Sequence, residues 1–226
     1  MNYYIIRFIL LAYIIYMITY WLMSGLCYIL DCISINNKKL NSYKVQKVDI
    51  NFDKYHKTIK NVFKNQLISI PFIFILYPVI SYIGNDMFFI IPSIYDTIKY
   101  IFLTLSIFDI IFYIGHKLGH RYYLTIHKKH HEWKSPVGVA GHHNHIYEHI
   151  LINVIAPSIS TVIIKSSAPI MLLWIFISTF FVVVTHSGYS FFGATKHDIH
   201  HKLYKYNYGI FFTDYIFNTT YKKNNK

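Results

Sequence analysis

Apolar and polar positions along this chain are sorted into long blocks. Residues 3–30, 67–83, 98–115, 150–164 and 168–185 are apolar runs, and the stretches between them are polar. Crossing the hydrocarbon core of a bilayer takes about 20 helical residues. The blocks therefore predict an all-α fold, a polytopic membrane helical bundle. Pro71 and Pro78 lie in the 67–83 run, where a membrane helix tolerates them but kinks. The 150–164 run is short and holds Pro157. It is either a full span or one half of a re-entrant hairpin with 168–185. Either choice leaves the residues before and after the pair on one side of the bilayer.

The polar blocks divide the chain. Residues 1–31 are expected to form an N-terminal membrane anchor, residues 32–65 a basic connector, and residues 66–226 the working domain. The N-terminal run resembles a signal peptide, but no A-x-A-like cleavage site follows and the run continues to Leu30, so a retained anchor is expected. The connector carries eight lysines against Asp49 and Asp53, which places it on the cytosolic side by the positive-inside bias. The link 84–97 has Asp86 and Asp96 and no Lys or Arg, so it lies opposite. The 98–115 span then returns the chain to the cytosolic side and delivers His116 there. Asp109 sits within that span. A carboxylate at such a depth is costly, and it marks either function or a bond to a neighbouring helix.

Composition sharpens this picture in two places. The 226 residues are 54% hydrophobic and the mean hydropathy is +0.32, too apolar for a soluble domain of this size. The formal charge is +12. A basic balance fits nucleic acid in a soluble chain, but lysines flanking spans account for it here, and no nucleic-acid partner is expected. Cys27 and Cys32 are five residues apart and cannot pair within one helix; they make neither a disulfide framework nor a thiolate metal site.

The candidate chemistry is imidazole. Thirteen of the 14 histidines fall between His116 and His201. His116 and His120 are i and i+4 on one helix face. His127, His130 and His131 are i, i+3 and i+4, and His197, His200 and His201 repeat that spacing. Neutral imidazole is the commonest protein metal ligand. One zinc takes about four ligands, so eight histidines in three groups favour two metals. Imidazole suits zinc, iron, copper and nickel alike, so the spacing does not choose among them. His56 lies in the lysine block, where it is expected to be solvated, and His142 and His143 lie in a loop, where surface positions are expected. His145, His149 and His186 fall between the groups.

The motifs HKLGH, IHKKHHEWKSPVGV and KHDIHH resemble the three histidine boxes of the fatty-acid hydroxylase/sterol desaturase superfamily. DIIFYIGHKLGH is similar to that family's lead into its first box, NHIYEH to its Ala-His-Pro-Ile/Leu-Glu segment, THSGY to the motif after its last span, and YNYGIFFTDYIFNTT to its C-terminal close. The likeness covers about residues 98–221, and the branch it most resembles is the sterol C-4 methyl oxidase and fatty-acid hydroxylase domain-containing group. Lys117 stands where the family usually has Arg, NHIYEH lacks the usual proline, and Asn218-Thr219-Thr220 replaces Gly-Thr-Asp. None of these departures removes a box histidine.

The resemblance implies a non-haem di-iron oxygenase of the endoplasmic reticulum membrane, with a histidine-rich metal-binding cap facing the cytosol. It would oxidise a sterol or fatty-acyl lipid with dioxygen in lipid biosynthesis. The box histidines would hold two irons, with His145 and His186 as further ligands. Glu148 and Asp198 would orient imidazoles from behind, because ligating histidines usually donate their other N–H to a carboxylate or carbonyl. The chain has no G-x-G-x-x-G fingerprint, so electrons would come from cytochrome b5 or a reductase, and Lys128, Lys129, Lys134, Lys202 and Lys205 offer a basic surface to such a donor. Two rivals stand beside this reading. A zinc membrane hydrolase using HxxxH lacks the Glu of H-E-x-x-H, since position 117 is Lys, and leaves the other boxes unexplained. The other rival is a non-catalytic metal-binding membrane protein with a decayed site.

Overall fold

The computed structural model describes residues 3–47, 50–75 and 90–222, and the described residues contain helices and no strands. Among the described residues, four helices are long and apolar enough to cross a membrane: Tyr3–Asn36 (α1), Ile94–Tyr122 (α3), Ile146–Ile163 (α4) and Ala168–His186 (α5). The shorter Thr195–Leu203 is α6. The expected span at 67–83 runs into residues 76–83, which lie outside the described residues.

Helix α1 has 34 residues, about 51 Å at 1.5 Å per residue, and it outruns a hydrocarbon core of about 30 Å. It turns Leu11, Ile14, Ile18 and Leu22 outward and buries Tyr20 and Cys27. An exposed face that is apolar and a buried face that carries hydroxyls is the arrangement expected of a helix in lipid. Near its C-terminus Asp31 is fully buried, with Lys44 Nζ 2.6 Å away. The same ammonium donates to the Ser187 carbonyl at 2.8 Å. Backbone bonds Val45 N–H to Gly188 and Ser190 N–H to Tyr43 complete a clasp between the chain after α1 and the chain after α5.

The helix Phe52–Ile75 (α2) begins inside the lysine-rich block. Tyr55, Thr58, Val62, Gln66 and Ser69 are buried along one face, while Lys57, Lys60 and Lys64 are exposed on the other. The division expected at 65/66 therefore cuts one helix. The lysines form the wet side of a packed element rather than a free connector, because every three or four residues an apolar or hydroxyl side chain returns to the core.

Helix α3 is capped by Ser93, whose side chain accepts from the Asp96 N–H. It continues past the apolar run to Tyr122 and so carries His116 and His120 as helical residues. Asp109, fully buried on α3, accepts four backbone N–H bonds at 2.6–3.0 Å, from Ile210, Phe211, Phe212 and Thr213. The intramembrane carboxylate thus fastens the C-terminal segment to α3. Its alternative role as a site residue has no support in these contacts.

Helices α4 and α5 form a hairpin. Within α4, residues His149–Ile155 are π-helical. The loosened turn precedes Pro157, which has no N–H to give to the preceding turn. A core of Tyr20, Tyr55, Val62, Trp133, Val139 and Val183 joins α1, α2, α5 and the histidine-rich segment. That packing seats the cap at one end of the bundle.

Candidate metal centre

The structure gathers nine imidazoles into two groups. His116, His120, His127, His131 and His200 form one, and His130, His186, His197 and His201 form the other, with the potential ligand atoms of each group within 4.8 Å of one another. In the five-membered group, His120 Nε2 lies 3.1 Å from His200 Nε2, 3.0 Å from His127 Nε2 and 3.2 Å from His131 Nε2. In the four-membered group, His186 Nε2 lies 3.3 Å from His130 Nε2 and 2.7 Å from His197 Nε2, and His201 Nε2 lies 3.1 Å from His197 Nε2. His120 and His200 thus meet at the same end of the bundle, as the hairpin topology requires.

The boxes are interleaved. In HxxHH 127–131, the i and i+4 residues enter the five-membered group and His130 enters the other. In HxxHH 197–201, the i and i+4 residues enter the four-membered group and His200 crosses over. Each HxxHH box contributes to both groups, while His116 and His120 of HKLGH both enter the five-membered one. In 127–131 the backbone changes between the rings, since Leu124–His127 ends and a 3-10 turn, His130–Glu132, follows, whereas 197–201 lies on one helix.

The outward nitrogens explain the inward ones. His116 Nδ1 donates to the Tyr208 carbonyl at 2.8 Å, His200 Nδ1 to Tyr206 at 2.6 Å, His201 Nδ1 to Trp133 at 2.8 Å and His186 Nδ1 to Val182 at 2.6 Å. A carbonyl only accepts, so each Nδ1 carries the hydrogen and each Nε2 turns its lone pair to the centre. His127 Nδ1 lies 2.7 Å from Glu148 Oε1, the carboxylate–histidine pairing that raises ligand basicity. His116 Nε2 is buried and has no protein partner.

Electrostatics agree with ligand duty. Burial, with the neighbouring imidazoles adding to it, holds His130, His197 and His201 well below the usual imidazole range. Burial brings His200 to about 3. These rings are neutral at physiological pH, the form that binds metal. A metal–nitrogen bond of about 2.0–2.1 Å places neighbouring ligand nitrogens roughly 3.0–3.4 Å apart, close to most of the spacings here. The donor set therefore fits a metal in each group.

The other candidates are placed apart. His145 is half-buried, accepts the Tyr147 N–H with its Nδ1 at 3.4 Å and belongs to neither group. It caps the short turn that starts α4. Asp198 is fully buried, but its Oδ1 accepts from Gln46 Nε2 at 2.7 Å and its Oδ2 has no protein partner. It ties α6 to the chain after α1 instead of orienting an imidazole, and burial pushes its carboxyl up to about 6. His142 and His143, expected at the surface, are both buried: His142 stacks on Tyr20 at 4.5 Å and bonds to Tyr16, and His143 bonds to Glu132. His149 packs against His142 at 5.2 Å, and His56 is exposed. The backbone carbonyls of Trp133, Val182, Tyr206 and Tyr208 escaped sequence reasoning because a carbonyl acceptor has no side-chain signature.

A cavity of about 420 Å³ opens beside both groups, and its lining includes His116, His127, His130, His186 and His197. Phe112, Leu118, Ile126, Leu151, Ile152 and Val182 give it apolar walls. Leu118, Tyr123 and Leu151 are also exposed on the outer surface, so the cavity borders an apolar face between α3 and α4.

Membrane-length helices, a two-group imidazole cluster able to hold metal and an apolar cavity beside it define a class of membrane protein. Comparison with known proteins places the chain within it. The fatty acid hydroxylase family model matches residues 101–219, and the chain belongs to that family. It is 28% identical to fatty acid hydroxylase domain-containing protein 2 of Homo sapiens over 84% of this chain and 60% of that protein. It is 32% identical to a putative methylsterol monooxygenase of Dictyostelium discoideum over 80% of this chain and 73% of that protein. It is 24% identical to methylsterol monooxygenase erg25B of Aspergillus fumigatus over 94% of this chain and 77% of that protein. The chain spans about 60% of the length of the fatty acid hydroxylase domain-containing relatives it matches. No solved structure matches it.

Proposed function

We propose that this protein is a membrane lipid oxygenase that inserts oxygen into, or otherwise oxidises, a sterol or fatty-acyl substrate. The observation that carries the reading is the pair of interleaved Nε2 groups lining one apolar cavity. Two irons are the metals proposed. When bound, they supply dioxygen activation and the oxidation of an unactivated C–H bond.

The chain's own residues set the conditions for that chemistry. Phe112, Leu118, Leu151 and Ile152 exclude water from the imidazole face and hold an apolar substrate against it. The Tyr206, Tyr208, Trp133 and Val182 carbonyls fix ring orientation and tautomer. Glu148 holds His127 and makes it a stronger donor. Electrons enter from an external donor, cytochrome b5 or a reductase. Lys128, Lys134, Lys202 and Lys205 are exposed around the cap, and half-buried Lys129 lies beside them; together they give an acidic donor a surface to meet. The proposed setting is the endoplasmic reticulum membrane with the cap in the cytosol.

The test is metal analysis of the full chain combined with oxygen uptake on sterol and fatty-acyl lipids. Two irons per chain with lipid-dependent uptake supports the reading. One zinc and no uptake supports a hydrolase, and bound metal without turnover supports a binding protein.

A further inference from the structure

A second cavity, about 110 Å³ in volume, lies between α1 and the α4/α5 hairpin, farther along the bundle from the imidazoles. Phe8, Ile9 and Ala12 of α1 face Met171, Trp174 and Ile175 of α5 across it. Several bordering hydroxyls are spent on their own helices. Ser158 donates to the Val154 carbonyl at 2.7 Å, Thr161 to Ser158 at 2.7 Å and Ser178 to Trp174 at 2.8 Å. Side chains satisfied in this way leave carbon facing the space, which suits an apolar occupant.

This cavity and the histidine cavity share one lining residue, Asn153. On α4, the lining residues run from Tyr147 to Asn153 around the histidine cavity and from Asn153 to Val162 around the inner one. On α5 they run from His186 back to Val182 and then from Thr179 to Met171. Both arms of the hairpin thus pass from the imidazoles to the far end in chain order. The π-helical stretch His149–Ile155 spans the junction, a kind of turn that recurs at functional sites. Asn153 is lightly held there, at 3.3 Å from Asn144 Oδ1 and 3.4 Å from His149 Nδ1, near the outer limit of a hydrogen bond.

We infer that the inner cavity is the tail subsite for the lipid that reacts at the imidazoles, with Asn153 as the step over which the chain passes. This rests on the lipid-oxygenase reading above. A cavity of about 150 Å³ holds benzene, so the inner space takes only the last few carbons of a lipid. The occupant is the far end of the molecule whose other end lies in the histidine cavity, because the two spaces meet at one displaceable side chain. The subsite thereby sets how long a substrate reaches the metals with its reactive carbon in place.

The experiment uses the metal-loaded full chain in phosphatidylcholine nanodiscs. Two probes are compared, a long-chain fatty acid and a sterol, each with a diazirine at the end of its apolar tail. After irradiation, adducts are expected on the peptides holding Ala12 and Met171–Ile175 for at least one probe. Gly115→Leu plugs the histidine cavity, since even a Cβ at Gly115 comes 2.8 Å from the Ile152 side chain. It should lower that labelling about tenfold or more. Asn153→Ala adds no bulk and should raise it. Absence of inner-cavity adducts with both probes overturns the inference. Labelling undiminished in Gly115→Leu also overturns it, because the occupant is then a bilayer lipid chain. Iron content and oxygen uptake of the same samples report on the oxygenase reading alone. Turnover without inner labelling sinks the subsite, and inner labelling without turnover sinks the oxygenase.

Discussion

The two imidazole groups are cut from the same boxes and held differently. The five-membered group has a carboxylate behind it: Glu148 grips His127, and the Tyr208 and Tyr206 carbonyls grip His116 and His200. The four-membered group is gripped by carbonyls, Val182 behind His186 and Trp133 behind His201; each group also has one buried Nδ1 without a protein partner, on His131 in the first and His130 in the second. The fifth ring and the carboxylate behind His127 make the first group the one expected to hold metal more tightly. Both groups face the cavity, through His116 and His127 of the first and His130, His186 and His197 of the second. The difference teaches that a box is not a site. Each HxxHH supplies rings to both groups.

The largest test of this contrast removes a ligand from each side. His120→Ala and His197→Ala should each cut lipid turnover by more than about 100-fold, beyond the 10–100-fold typical of losing an orienting group. They should differ in metal content: His197→Ala keeps one metal per chain by elemental analysis, and His120→Ala releases the more tightly held one. Equal loss of both metals in both variants would break the contrast.

Removing the anchor of the C-terminal segment comes next. Asp109→Ala strands four backbone N–H groups on residues 210–213. It should cost on the order of 3–5 kcal/mol, the scale of breaking a buried charged network. It should also loosen the Tyr206 and Tyr208 carbonyls just upstream. Thermal unfolding in detergent measures the first, and selective weakening of the five-membered group measures the second.

Glu148→Gln should lower metal affinity at the five-membered group about 10–100-fold and leave the other group alone, as read by chelator competition. The smallest effect is expected of His145→Ala, with metal content unchanged and turnover within about threefold, since a cap contributes only about 1 kcal/mol. A loss of metal in His145→Ala would return that residue to the ligand set.

Much of this was legible in the chain. The apolar blocks predicted the helices Tyr3–Asn36, Ile94–Tyr122, Ile146–Ile163 and Ala168–His186 to within a few residues at the N-terminal ends of the last three, because a helix is what satisfies the backbone of a single segment in lipid. The box histidines were legible from density and spacing. Their partition was not. The i, i+3, i+4 pattern suggests one face, yet neighbouring rings part both across the break between Leu124–His127 and the 3-10 turn at His130 and within the unbroken helix Thr195–Leu203. Asp198 and Glu148 looked alike beside their boxes, yet one meets Gln46 and the other His127. That distinction depends on where residue 46 returns after α1, a tertiary fact with no local signal. Asp109 was legible as unusual; its partners are backbone N–H groups a hundred residues away and carry no residue-type mark.

The central claim is two metals in two all-imidazole groups on one membrane face. X-ray absorption of the purified, iron-loaded full chain tests it most directly, with iron counted per chain on the same sample. Two irons per chain, each in a shell of nitrogen ligands with the outer-shell signature of imidazole rings, is the predicted result. A single metal per chain, or a shell dominated by carboxylate oxygen, would contradict it.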